Sequence, residues 1–349
     1  MKEFRRILIV RTDRVGDVVL TTPAIAALRK AFPHVRLAVL IAPGNRELLE
    51  GNPSVDEILV DDRKGKHRGF AGFLSLVKEI KKRQFDIAFV FHTKKRTNLL
   101  CFWAGIPQRA GYRNEKLGFL LTHPLADTRP QGLKHESEYC LDVLRSLEIP
   151  INNASPYVPV SIQGQQWVQQ FLKGQGVGPQ EALIAIHPGA SCISKRWMPE
   201  RFAQVADELI RRKAGRVVFV GGAENREIMK NVLAALKSPV IDATGKTSLG
   251  QLAALLKRCR LLVSNDSGPV HMAGALSVPV ISIFGRNQAG LSPVRWGPLG
   301  PKSRILHKEV GCPVCLAHNC QIEFKCLTEI EPREVLEAVD GFDFAHHQP

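Results

Sequence analysis

The stretch Ile7-Leu8-Ile9-Val10-Arg11-Thr12-Asp13-Arg14-Val15-Gly16-Asp17-Val18-Val19 decides the fold. Four aliphatic residues in a row read as a short strand buried on both faces, because no polar position alternates with them. A polar loop follows, and an amphipathic segment from 17 to 31 then takes up helical spacing. Working outward, the same strand-loop-helix rhythm recurs. Strands are expected at 37–41, 57–60 and 87–91, with helices near 70–83 and 135–147. Such alternation implies a parallel sheet covered by helices on both faces.

Residues 148–160 hold Pro150, Pro156 and Pro159 with Asn152 and Asn153, and lack either periodicity, so they read as a linker. A second series then opens, with strands at 183–187, 216–221, 261–264 and 280–284. Its helices are expected near 199–213, 225–236 and 249–258, and a last one over 332–339 opens with a first-turn proline. A chain of 349 residues exceeds one ordinary core. The expectation is an α/β protein of two Rossmann-like, doubly wound domains, 1–155 and 156–349, facing a central cleft. Function then belongs in the loops at the carboxyl ends of the strands.

The chain is 44% hydrophobic and 23% charged, an ordinary globular composition, and only 345–349 read as disordered. The apolar run after the charged start ends at Arg11, too short for a signal peptide, and no stretch reaches a membrane span, so a cytoplasmic location is expected. A net charge of +15 biases partners toward anionic surfaces, although a basic solubility surface is the plainer account. Residues 1–150 carry 26 Lys and Arg against 17 Asp and Glu, with clusters at 63–68, 81–83 and 94–96. An anionic partner would thus meet the first domain, with Arg63, Lys64, Arg68, Lys94, Arg96 and Arg113 as candidate contacts. A nucleic-acid partner is disfavoured, since only 7% of the chain is aromatic and the basic clusters lack interleaved rings.

Four loops can carry chemistry. The first lacks both the dinucleotide fingerprint and the Walker motif, which weakens hydride-transfer and P-loop readings. Its Asp17 is either a helix N-cap or a general base at a helix N-terminus, and Asp13 competes for the second role. The second, 187–200, offers Ser191 and the pair Lys195-Arg196 before a helix, a site for a diphosphate or simply solvated charge. The third, 221–227, offers Glu224 or Glu227 for ribose hydroxyls, or mere helix-terminus charge. The fourth, Asn265-Asp266-Ser267-Gly268-Pro269-Val270-His271, should project Asp266, Ser267 and His271 together, with main-chain N–H groups near Gly268 free for phosphate oxygens.

With these loops in view, the chain resembles family 9 of the glycosyltransferases, the lipopolysaccharide heptosyltransferases, over nearly its full length. The likeness rests on the opening Ile-Leu-Ile-Val-Arg-Thr and Gly-Asp-Val-Val-Leu-Thr-Thr-Pro-Ala, on His187-Pro188-Gly189, on Lys195-Arg196-Trp197, and on Asp266 to His271. The resemblance implies a GT-B fold, an inverting mechanism and an ADP-heptose donor held by the second domain. It implies an anionic lipopolysaccharide core acceptor on the first, with the enzyme peripheral at the inner membrane. By the same resemblance Asp17 matches the general base, Lys195 a phosphate-contacting lysine, and Asp266, Ser267, Gly268 and His271 the donor loop. No Asp-x-Asp occurs in the chain, which fits a transferase needing no metal or other cofactor. A relative using another ADP- or UDP-sugar on a protein or other glycan, and a basic nucleic-acid binder on a degenerate fold, are the alternatives.

Of eight cysteines, Cys101, Cys140, Cys192 and Cys259 read as small buried hydrophobes. The run Cys312-x2-Cys315-x4-Cys320-x5-Cys326 reads as unligated thiols or as a structural zinc or iron site, outside the donor loops.

Overall fold

The computed structural model describes residues 4–152, 155–300, 302–312, 315 and 317–342, so the tail at 345–349 and Asn153 lie outside the described residues. The chain divides into two compact units, Met1–Pro159 and Val160–Pro349. Tyr157 donates its main-chain N–H to Thr22 Oγ1 at 2.8 Å, which ties the end of the proline-bearing segment to the first unit.

The first unit runs β1 (Arg6–Arg11), α1 (Val15–Ala31), β2 (Arg36–Ile41), β3 (Glu57–Val60), α2 (Gly69–Lys81), β4 (Ile87–Val90), α3 (Lys95–Trp103), β5 (Gln108–Arg113), β6 (His123–Ala126) and α4 (Glu136–Arg145). Its parallel sheet has the order β3-β2-β1-β4-β5-β6. Ile7, Leu8, Ile9 and Val10 are fully buried, as a central strand with helices on both faces requires. Inside α1, Pro23 has no N–H to offer the Val19 carbonyl, and the Thr22 hydroxyl donates to that oxygen instead at 2.6 Å.

The second unit runs α5 (Ile162–Gly174), β7 (Leu183–His187), α6 (Pro199–Arg211), β8 (Arg216–Phe219), α7 (Arg226–Ala235), β9 (Ile241–Asp242), α8 (Leu249–Arg258), β10 (Leu261–Asn265), α9 (Gly268–Ala275), β11 (Val280–Phe284), α10 (Pro293–Trp296), β12 (Ser303–His307), α11 (Lys325–Thr328) and α12 (Pro332–Asp340). Its sheet order, β12-β11-β10-β7-β8-β9, is the first sheet's order again when counted from β7. The core between this sheet and α6, α7 and α12 is built on Trp197, Phe202, Phe219 and Val335. A doubly wound α/β architecture therefore holds in both halves.

In each sheet the strand order reverses at one point, between β1 and β4 and between β7 and β10. The loops leaving those strands diverge to opposite faces and open a crevice at their carboxyl ends. Those loops are 12–14 and 91–94 in the first unit, and 188–198 and 266–267 in the second.

Candidate active site

At the reversal point of the first unit, Arg11 ends β1 with its guanidinium buried among three carboxylates. Nη2 donates to Asp17 Oδ1 at 2.5 Å and to Glu136 Oε1 at 2.9 Å, and Nε lies 3.0 Å from Asp13 Oδ1. The last contact is an ion pair without hydrogen-bond geometry, since neither Arg11 Nε nor Asp13 Oδ1 finds a bonding partner. One cation thus faces three acids. Burial, set against the opposing pull of Arg11, lifts Asp13 from an ordinary 3.8 to about 7, with Asp17 adding to the rise. His92 borders the cluster as a neutral ring: its Nδ1 meets Thr12 Oγ1 at 3.0 Å, and burial pushes it down to about 3.

Asp17 does not cap α1. Arg14 occupies the cap position, without a side-chain bond, and Asp17 falls in the first turn with its side chain 14% exposed. It is thus placed to meet a solute, in the field of the helix N-terminus.

The basic residues expected to meet an anion separate into two groups. Arg63 and Arg96 converge on the buried Asp61 at 2.9 and 2.7 Å, and Arg63 also donates to Thr12 Oγ1 at 2.8 Å. Asp61 accordingly sits below the usual carboxylate range, the two arginines outweighing its burial. Lys64, Arg68, Lys94 and Arg113 are exposed. Lys94 lies against Lys116, whose ammonium, with some burial, lowers it, and a pair of like charges so placed favours an anion between them.

In the second unit, Lys195 Nζ and Arg286 Nη2 both meet Asp266 Oδ2, at 2.7 and 3.1 Å. Ser267 stands before α9 but makes no capping bond; its hydroxyl instead lies 3.0 Å from His187 Nδ1 and 3.0 Å from Ser264 Oγ. His187 is driven to about 4 by burial, so it is a neutral partner at physiological pH. Gly268 opens α9, and His271 is buried one turn in. Of the three residues expected to project together, Asp266 is thus held by Lys195 and Arg286 and Ser267 by His187 and Ser264, while His271 lies buried within α9.

Ser191 and Arg196 are exposed, the latter donating to the Ala190 carbonyl at 3.0 Å. Trp197 is buried, with its N–H on Asn265 Oδ1 and its Nε1 on the Ile330 carbonyl. Glu227 pairs with Lys230 along α7 at 3.0 Å, whereas Glu224 folds over Gly222, so close that a Cβ there would lie 2.2 Å from its carboxylate. Of the two acids, Glu224 is the one at the strand-end loop.

Sequence reasoning missed Arg11, Glu136 and Asp61, whose roles depend on distant partners, and Arg286. It also missed Asn225, which accepts from the Gly222 N–H and abuts Gly189, joining two loops. Among the early cysteines, Cys101, Cys140 and Cys259 are buried, but Cys192 is only half-buried and lies 3.5 Å from the Ser194 hydroxyl. The cysteine-rich segment, expected to lie apart from the donor loops, touches them: His318 Nδ1 is 3.2 Å from Ser194 Oγ, and Cys326 interacts with the main-chain N–H of Arg286. Its four cysteines form no disulfide, and among the described residues no group of three or more His, Cys, Asp or Glu is arranged to hold a metal ion.

Residues 73–325 match the model of glycosyltransferase family 9 (heptosyltransferase). The chain is 27% identical over 344 residues to lipopolysaccharide heptosyltransferase 2 of Salmonella typhimurium, covering 95% of this chain and 97% of that one. A glycosyltransferase family 9 crystal structure from Veillonella parvula superposes with a TM-score of 0.86 at 28% identity, over 97% of this chain and 98% of that one. The structure of the Escherichia coli ADP-heptose lipopolysaccharide heptosyltransferase II gives a TM-score of 0.78 at 25% identity, over 96% and 97%. These neighbours share the GT-B architecture.

Proposed function

The chain belongs to glycosyltransferase family 9 (heptosyltransferase), and from that premise we propose that it transfers L-glycero-D-manno-heptose from ADP-heptose to the inner core of lipopolysaccharide, with inversion. The observation that carries the donor half is Lys195, held on Asp266 beside the N-terminus of α9. Positive charge and main-chain N–H groups so arranged suit a diphosphate both when it is bound and when it departs with extra charge.

In this reading Asp17 takes the proton of the acceptor hydroxyl as its oxygen forms a bond to the anomeric carbon. The bond from that carbon to the donor phosphate breaks, and ADP leaves with the electron pair. Arg11 holds the Asp17 carboxylate in place, and Glu136 fixes Arg11 from the other side. Asp13, raised to about 7, is the competing base of the same cluster. Glu224 takes the ribose, and Ser191 and His271 line the donor side. Arg63, Lys64, Arg68, Lys94, Arg96 and Arg113 receive acidic groups of the acceptor. Cys312, Cys315, Cys320 and Cys326 lie near one another, and whether they stay unligated thiols or hold a structural zinc or iron, no step of this reaction is assigned to them.

The acceptor is lipid-linked, and a peripheral site at the cytoplasmic face of the inner membrane follows from it. Among the described residues no helix is long and apolar enough to cross a membrane. Exposed rings supply the alternative: Phe70 and Trp103, 68% and 41% exposed, meet edge-on at 6.2 Å beside the exposed Arg68.

Purified protein incubated with ADP-heptose and truncated core oligosaccharides should yield products heavier by one heptose in the mass spectrum. Products formed only from UDP-sugars, or only on a protein acceptor, would replace this donor or acceptor with the related transferase reading.

A further inference from the structure

Arg286 follows β11 and Gly285, and its φ of +42° is a backbone conformation that a residue with a side chain seldom adopts. The chain is forced into it from two sides. A Cβ on Gly285 would lie 2.5 Å from the Ser194 carbonyl and 3.0 Å from Leu327, so the loop is pressed between the Lys195 turn and α11. The main-chain N–H of Arg286 interacts with the Cys326 sulfur, opposing the burial that raises that thiol.

The consequence of this placement is electrostatic. Lys195, Asp266 and Arg286 have side chains 14%, 4% and 7% exposed, and both cations are spent on one carboxylate oxygen. Two positive charges against one negative leave a surplus positive charge largely out of water. A buried charge without compensation is costly, and an anion offered to the site removes that cost. Asp266 aligns the two cations without neutralising both.

We infer that Arg286 is a second phosphate-binding cation of the donor site, paired with Lys195 across Asp266 and held at its angle by the cysteine-bearing segment. This rests on the donor reading given above, and adds to it a residue that the strand-end motifs do not reveal. A guanidinium at this place can take two oxygens of a diphosphate at once, which an ammonium cannot.

The test compares wild type with Arg286→Ala, Arg286→Gly and Arg286→Lys, by calorimetry with ADP, UDP, adenosine and inorganic pyrophosphate. Glycine suits the positive φ, so Arg286→Gly removes the charge without adding strain and guards against a folding defect. Loss of one charged hydrogen-bonding partner should weaken ADP and pyrophosphate roughly 10- to 150-fold in the Ala and Gly variants. Adenosine should bind as before, and Arg286→Lys should recover part of the loss. Unchanged pyrophosphate and ADP affinity in Arg286→Gly overturns the inference. Wild type that binds pyrophosphate in an Arg286-dependent way but shows no preference for ADP over UDP would leave Arg286 standing and overturn the ADP-sugar reading instead.

Discussion

Glu136 Oε1 accepts a hydrogen bond from Arg11 Nη2 at 2.9 Å although 125 residues separate them in the chain. Both side chains are almost wholly buried, so the contact fastens the start of α4 to the end of β1 and fixes the guanidinium against which Asp13 and Asp17 are arranged. Removing Arg11 should leave three carboxylates with no cation. Arg11→Ala is expected to cost about 3–5 kcal/mol of stability, as broken buried ion pairs do. Glu136→Gln, which keeps the shape and leaves two acids for Arg11, should cost about 1 kcal/mol. Urea unfolding midpoints measure both, and equal losses would contradict a cluster centred on Arg11.

The elevated Asp13 predicts a pH dependence of definite sign. Between its ordinary value of 3.8 and about 7 the folded protein holds a proton that the unfolded chain releases. Stability contributed by this group is therefore complete below about 4 and falls as pH rises to 7. Asp13→Asn should abolish that slope and be relatively more stable at neutral pH. Chemical denaturation from pH 5 to 8 reads the difference, and parallel curves for the two proteins would refute it.

Asp17→Ala should lower kcat by about 10²–10⁴-fold while ADP affinity stays within a few-fold, because general-base help acts on the chemical step. Asp13→Asn should depress turnover far less. The reverse ranking in steady-state kinetics would transfer the base assignment to Asp13.

Lys195→Ala should weaken ADP binding by ~1.5–3 kcal/mol, the worth of a hydrogen bond to a charged group. Because the same cation faces charge that grows on the leaving diphosphate, kcat should fall as well. Calorimetry and initial rates together check this. A rise in donor KM alone would confine Lys195 to ground-state binding.

Phe70→Ser and Trp103→Ser should each reduce binding to vesicles containing phosphatidylglycerol by about 1 kcal/mol, since each ring has apolar area to lose from water. High salt should weaken the wild type too, through Arg68 and its neighbours. Co-sedimentation measures both, and binding indifferent to the two substitutions would place the membrane contact elsewhere.

Much of the fold was legible because a doubly wound domain writes itself locally. Runs such as 183–187 and 280–284 are apolar but for His187 and Ser282, and both appear as strands with those limits. Strands β5, β6, β9 and β12 escaped notice: Gln108–Arg113, His123–Ala126 and Ser303–His307 are polar or only partly buried, being off-centre or at the sheet edge, and Ile241–Asp242 is two residues long, so none carries a continuous apolar run. Helix α3, with Phe102 and Trp103 exposed, lacked the usual apolar stripe, whereas α5 carries one in Trp167, Val168, Phe171 and Leu172 that its many glutamines obscured.

The strand-end loops carrying Asp17, Lys195, Glu224 and Asp266 could be picked out from the chain, because in a parallel sheet the residue after a strand is delivered to the functional rim by connectivity alone. What those side chains do to one another could not. That Arg11 is shared by Asp13, Asp17 and Glu136, that Asp61 gathers Arg63 and Arg96, and that Arg286 joins Lys195 on Asp266 are facts of distance and burial, and each cluster needs at least one partner from elsewhere in the chain. Local spacing determined the elements and their order. Only tertiary packing decided which charges lose their water, and it is that loss which lifts Asp13, strengthens the Asp266 cluster and distinguishes a site from a set of exposed polar residues.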